Sequence, residues 1–178
     1  MNTALWVLWA FLSAPFHRRS ASRNTKKKVL IIQWAKLGDL VATTPMFRAL
    51  KEAHPDWEVH VLCRSGLHRI LEGNPFLDHI IAYKGSRGAL VHILREEQYD
   101  ATITCLPGAF HSVLGSLCGA PIRINTYSTR HGVLVQLARA LNTVNRLFEL
   151  RTNTFQHYLS LLEPLGVARI PYSLDFFV

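Results

Sequence analysis

A chain of 178 residues that is 49% hydrophobic and 18% charged can bury one core of ordinary size, which excludes a largely disordered protein and favours a single domain. The formal charge of +8 invites a nucleic-acid reading, but Arg18, Arg19, Arg23, Lys26, Lys27 and Lys28 all precede residue 29 without one Asp or Glu, and the rest of the chain holds 14 basic against 12 acidic groups. No cationic run follows Lys28, so no specific nucleic-acid partner is expected. Cys63, Cys105 and Cys118 form no CxxC pair and the nine histidines no HExxH, so neither a disulfide nor a metal centre is expected.

The first 28 residues read as an apolar and basic tail. Residues 4–16 form an apolar segment with Trp6 and Trp9, shorter than the roughly 20 residues that cross a bilayer. The positive charge follows the apolar stretch instead of preceding it, opposite to a secretory signal. Indole rings favour the membrane interface, and each of the six cations gains about 1 kcal/mol near anionic headgroups. The pattern predicts a tether at the cytoplasmic leaflet; a disordered extension or an upstream start is the alternative.

From residue 29 to 178, apolar runs alternate with helical spacing. Strands are expected at 29–32, 57–62, 79–83, 101–105 and 122–125, and helices at 43–53, 67–71, 88–98, 108–118, 132–148 and 154–165. Gly73, Asn74 and Pro75 form a breaker cluster. Strands separated by helices imply a Rossmann-like α/β fold, a parallel sheet with helices on both faces. In such sheets ligands sit outside the carboxyl ends of the strands, which gathers residues 34–39, 64–66 and 106–110 around one crevice.

The loop after the first strand has neither GxGxxG nor GxxxxGK[ST]. It offers Gly38, which permits a tight turn or close approach of a ligand, and then Asp39 at the crevice mouth. An Asp here is also an ordinary helix N-cap. Thr44 and Pro45 make a second cap-like pair, proline suiting the first helical position; a helix beginning at Leu40 would instead carry Pro45 inside it.

With Lys28-Val-Leu-Ile-Ile32, Leu37-Gly-Asp-Leu40, Thr44-Pro45 with Arg48-Ala-Leu50, Gly73-Asn-Pro75, Tyr99-Asp100, Gly119-Ala-Pro121 with Arg123, and Tyr158-Leu159 before Leu165-Gly166 in order, the chain resembles the heptosyltransferases of lipopolysaccharide core synthesis, glycosyltransferase family 9. The resemblance implies the N-terminal half of a GT-B fold, an acceptor-binding domain whose second, donor-binding domain lies outside this sequence or on a separate partner chain. It implies inverting transfer of a heptose or similar sugar from a nucleotide-sugar to a lipid-linked saccharide of the lipopolysaccharide core, with no cofactor, in the cytoplasm at the inner face of the inner membrane. The family's base maps onto Asp39. Lys36, Gly38, Thr43, Thr44 and Gly108 are then expected acceptor contacts, with His111 near the same crevice. Solvent-exposed lysine, helix caps and an ordinary turn explain the same residues without a ligand, and a noncatalytic membrane-associated module that binds a glycan or nucleotide is the alternative function. The chain departs from the family at Thr104-Cys-Leu-Pro-Gly108, where an Asp and a Gln commonly precede the glycine, and in its tail before Lys28.

Overall fold

A computed structural model describes residues 2–13, 26–149 and 153–168. Six parallel strands, β1 (Lys28–Ile32), β2 (Glu58–Arg64), β3 (His79–Tyr83), β4 (Ala101–Thr104), β5 (Ile122–Tyr127) and β6 (Val144–Leu147), form one sheet in the order β3-β2-β1-β4-β5-β6. The chain moves outward from β1 in one direction, returns, and moves outward in the other. Helices α1 (Thr3–Ser13), α2 (Leu37–Ala42), α3 (Thr44–Ala53), α4 (Arg87–Glu96), α5 (Ala109–Leu117), α6 (Val133–Ala138) and α7 (Thr154–Ser160) complete the fold.

Alternation along β1 explains the two layers. Val29 and Ile31 face a core shared with Leu40, Phe47, Leu50, Tyr158 and Leu162, while Leu30 and Ile32 face a second core with Leu90, Leu94, Val113 and Leu117. A strand buried on both faces must be apolar throughout, and α2, α3 and α7 therefore cover one side while α4, α5 and α6 cover the other.

Acidic side chains fasten the amino ends of the strands. The Lys28 amide donates to Asp100 at 2.8 Å and the Val59 amide to Asp78 at 2.7 Å, with Lys51 beside Asp78 at 2.6 Å. Lys28 Nζ sits 2.8 Å from Glu97 and 3.5 Å from Glu58. Asn74 is buried and accepts from the Phe76 amide, and the Arg123 guanidinium donates to the carbonyls of Ala120, Pro121 and Leu141. Tyr99-Asp100, the Gly-Asn-Pro segment and Arg123 are thus clamps of the fold.

Three expectations need correction. Residues 132–148 were expected to be one helix, but helix α6 ends at Ala138, a 3-10 turn follows, and β6 takes Val144–Leu147. Asn142 stops the helix by donating to the carbonyls of Ala138 and Ser112, and Thr143 bonds Arg123 on β5, so the next residues pair as an edge strand. Residues 67–71 form a 3-10 turn, and 154–165 break after Ser160. The helix expected at 43–53 is α3 (Thr44–Ala53): it follows the short helix α2 at Thr43, and Pro45 stands in its first turn, where its missing N–H costs nothing.

The segment around Trp6 is a helix laid on the domain. Trp6, Val7 and Ala10 of α1 are buried against α5 and α6, Trp6 meets Phe110 edge-on at 5.5 Å, and Arg95 lies 5.1 Å over the Trp9 ring. Residues 14–25 lie outside the described residues.

Two measurements test this packing. A methyl group added at Gly115 would run into the Thr102 hydroxyl where α5 crosses β4, so Gly115→Ala is expected to cost about 1–3 kcal/mol in urea unfolding, recovered in part by adding Thr102→Ala. His157 is buried, bonded to Thr126 at 3.0 Å, and burial followed by the nearby Arg146 lowers its pKa from 6.5 to about 4. The unfolded chain takes up that proton first, so the stability held by the neutral ring is present above pH 6.5 and drains as pH falls toward about 4. The loss is on the order of 3 kcal/mol, and the urea midpoint of His157→Gln should show a shallower acid slope than the wild type.

Candidate functional site

The sheet order reverses between β1 and β4. The loops leaving these two strands travel to opposite faces, and a crevice opens between them. Asp39 stands beside it, in the first turn of α2.

Asp39 is not the N-cap of that helix. Lys36 holds the cap position without a side-chain bond, and Asp39 lies inside the first turn, half-exposed. Its backbone carbonyl accepts from Gln33 Nε2 at 3.2 Å, which ties the turn to the end of β1. The phenol of Tyr158 on α7 reaches the same place: burial chiefly holds its pKa above the usual tyrosine value, hydrogen bonding to Gln33 lowers it, and the Asp39 carboxylate raises it. The carboxylate thus has a buried phenol behind it and solvent in front.

Gly38 and Lys36 are exposed. A Cβ at Gly38 would meet nothing within 4 Å, and its backbone lies outside the left-handed region, so neither space nor conformation in the free chain requires glycine there. Thr43 and Thr44, the expected acceptor contacts, lie at the junction of α2 and α3. Both are buried, and their hydroxyls donate to the carbonyls of Leu40 at 2.6 Å and Val41 at 2.9 Å; they finish α2 instead of facing the crevice. Gly108 has extended backbone that any residue adopts, but a Cβ there would come within 2.9 Å of His111 Nδ1. Its bareness makes room for His111. That ring stacks with Trp34 across the crevice at 6.1 Å and 22°, and burial, with Arg87 adding, lowers its pKa to about 4. The imidazole stays neutral near pH 7.

Beyond this stacked pair, a hollow of about 540 Å³ opens at the carboxyl ends of β4, β5 and β6, with Pro107, Ser128, Arg130, His131, Phe148 and Glu149 in its wall. Lys36 after β1, Arg64 closing β2, Lys84 after β3 and Arg130 after β5 are all exposed. None of the four has an acidic partner within 4 Å among the described residues. The carboxylates Asp78 and Asp100 are spent at the opposite edge of the sheet. Sequence inspection missed this rim because the four cations lie far apart along the chain and come to one edge of the sheet only through parallel pairing. Arg130 and His131 also hid behind a strand expected to end at 125. No group of three or more His, Cys, Asp or Glu side chains that would hold a metal occurs among the described residues, and all three cysteines are buried thiols.

Comparison with known proteins agrees with this architecture. No family model matches the chain. Lipopolysaccharide heptosyltransferase 3 of Escherichia coli is 28% identical over 142 residues, covering 73% of this chain and 40% of that protein. A family 9 glycosyltransferase from Veillonella parvula superposes with a TM-score of 0.71 at 24% identity, over 91% of this chain and 47% of its own. The E. coli ADP-heptose lipopolysaccharide heptosyltransferase II gives 0.66 at 21%, over 84% and 45%. The chain spans less than half the length of these three relatives, and over that span it is a glycosyltransferase family 9-like, Rossmann-like half of a GT-B fold.

Proposed function

We propose that these residues form the acceptor side of a glycosyltransferase that moves a heptose or similar sugar from a nucleotide-sugar to a lipid-linked, lipopolysaccharide-type saccharide at a cytoplasmic membrane surface. The observation that carries the reading is the half-exposed Asp39 on the turn leaving the central strand, on the edge where four exposed cations have no acidic partner within 4 Å among the described residues. The relatives' heptosyl transfer supports the reaction class. A saccharide bearing phosphate or carboxylate groups suits a hollow walled by Arg130 and His131, and the bare edge of Gly38 leaves room for a sugar ring against the loop.

In the proposed step the acceptor hydroxyl oxygen bonds to the anomeric carbon of the donor from the face opposite the diphosphate. The bond from that carbon to the diphosphate oxygen breaks, and the nucleoside diphosphate leaves with the bonding pair. The hydroxyl proton passes to a carboxylate oxygen of Asp39. A carboxylate is a weak base toward an alcohol, so the proton moves late, after the forming bond has made the oxygen acidic. Tyr158 and the Gln33 contact hold the turn that aims the carboxylate. Donor binding is proposed to reside in a second Rossmann-like unit outside these 178 residues.

Isolated, the chain is expected to bind the acceptor saccharide and to turn over little or no ADP-heptose, because positioning of the donor is worth about 7–11 kcal/mol; robust product formation in a radiolabel transfer assay would contradict this. Arg130→Ala is expected to weaken saccharide binding by about 1.5–3 kcal/mol in calorimetry, with Asp39→Asn binding unchanged. In an assembly that includes the donor-binding half, Asp39→Asn is expected to lower kcat about 10²–10⁴-fold. Unaltered turnover would remove the base from the mechanism and favour a binding module.

A further inference from the structure

The eleven residues of α1 include no charged side chain, and the helix is apolar on both sides. Trp6, Val7 and Ala10 point into the domain, whereas Leu5, Leu8 and Leu12 are 50%, 55% and 65% exposed and Phe11 is 39% exposed. At 100° per residue the exposed set forms one continuous stripe opposite the buried set. The adjoining helix α6 adds Val133 at 74% and Leu137 at 49% exposure, one turn apart. A helix that is hydrophobic all round normally has apolar matter on every side. Here the domain supplies it on one side only.

We propose that the outer face of α1, together with Val133 and Leu137 of α6, is a rigid docking surface for an anionic lipid bilayer. Charge complementarity selects this occupant. Five Lys and Arg follow α1 in the sequence before β1 opens at Lys28, with no acidic residue among the first 28, and exposed Arg87 and Arg130 stand near the opening turns of α1 and α6. The exposed stripe carries no hydrogen-bonding side chain, unlike the polar rim of a protein interface. At about 16 Å long, α1 is too short to cross about 30 Å of hydrocarbon, and no helix among the described residues is long and apolar enough to do so. The helix therefore lies along the interface.

The geometry also fixes an orientation. Thr3, at the start of α1, accepts a hydrogen bond from Arg87, which opens α4 just beyond the carboxyl end of β3. The first turn of α1 is therefore at the same end of the sheet as Asp39 and the hollow. With α1 in the headgroups, the crevice opens beside the bilayer. This orientation deepens, and rests on, the reading of a lipid-linked acceptor; the docking surface itself rests on α1 and α6 alone.

Co-sedimentation of the full chain with vesicles of phosphatidylcholine and roughly 30% phosphatidylglycerol, free of saccharide and donor, tests it apart from any transfer assay. The wild type is expected to partition about tenfold or more better into these vesicles than into neutral phosphatidylcholine. The double variant Leu8→Glu with Leu12→Glu should lose about tenfold or more of that binding with an unchanged circular dichroism spectrum and thermal midpoint, since both positions already face solvent. Ala82→Glu, exposed on edge strand β3, should bind as wild type does. A wild-type chain that stays in the supernatant, or a double variant that binds unchanged, overturns the proposal. A dimer in vesicle-free solution that the double variant dissociates overturns it too, by making a second copy the occupant.

Discussion

Burial of β1 on both faces, between β2 on one side and β4 on the other, is the constraint from which the rest of the molecule follows. Five apolar or part-buried residues, Lys28–Ile32, leave no polar face, so helices must cover the sheet twice over. The two chain paths that supply those helices depart from β1 in opposite directions. Their divergence leaves a gap at the strand's carboxyl end that no crossover fills. Asp39 occupies the first turn after that gap, and its exposure is a by-product of how the centre of the sheet is closed.

The same logic separates residues that build the fold from those that remain available. Most of the sequence elements on which the resemblance to family 9 rests turn out to be fasteners. Asp100 and Asp78 hold strand amides, Asn74 caps its own turn, and Arg123 ties three carbonyls together. The Leu-Gly-Asp turn is different, because Gly38 stands in open space and no cap bond consumes the Asp39 side chain. Charge is partly sorted the same way: Asp78 and Asp100 are bound up at the amino edge, while cations from four distant loops stand exposed along the carboxyl edge with Asp39 and Glu149.

Much of this was legible before any coordinates. Five strands, the parallel α/β class, the crevice position and the loop carrying Asp39 follow from apolar runs and breaker residues, which report local preference directly. The sixth strand did not, because residues 144–147 continue a helical spacing from α6 and only the Asn142 and Thr143 contacts to distant carbonyls divert them. Thr43 and Thr44 looked available since a hydroxyl near a crevice reads alike whether it points outward or back to its own helix; the short second helix decided it. The places of Tyr158 beside Asp39 and of Arg130 at the hollow could not be read from the sequence for a related reason: each neighbours elements more than a hundred residues away in the chain or several strands across.

The amino-terminal helix has a practical corollary. Because Trp6, Val7 and Ala10 belong to the interior that Leu30, Phe110 and Leu114 share, a protein trimmed to begin at its first strand would not be a tidier version of this one. It would bare a greasy flank over α5, and the insolubility that followed would say nothing about whether the Leu-Gly-Asp turn had survived.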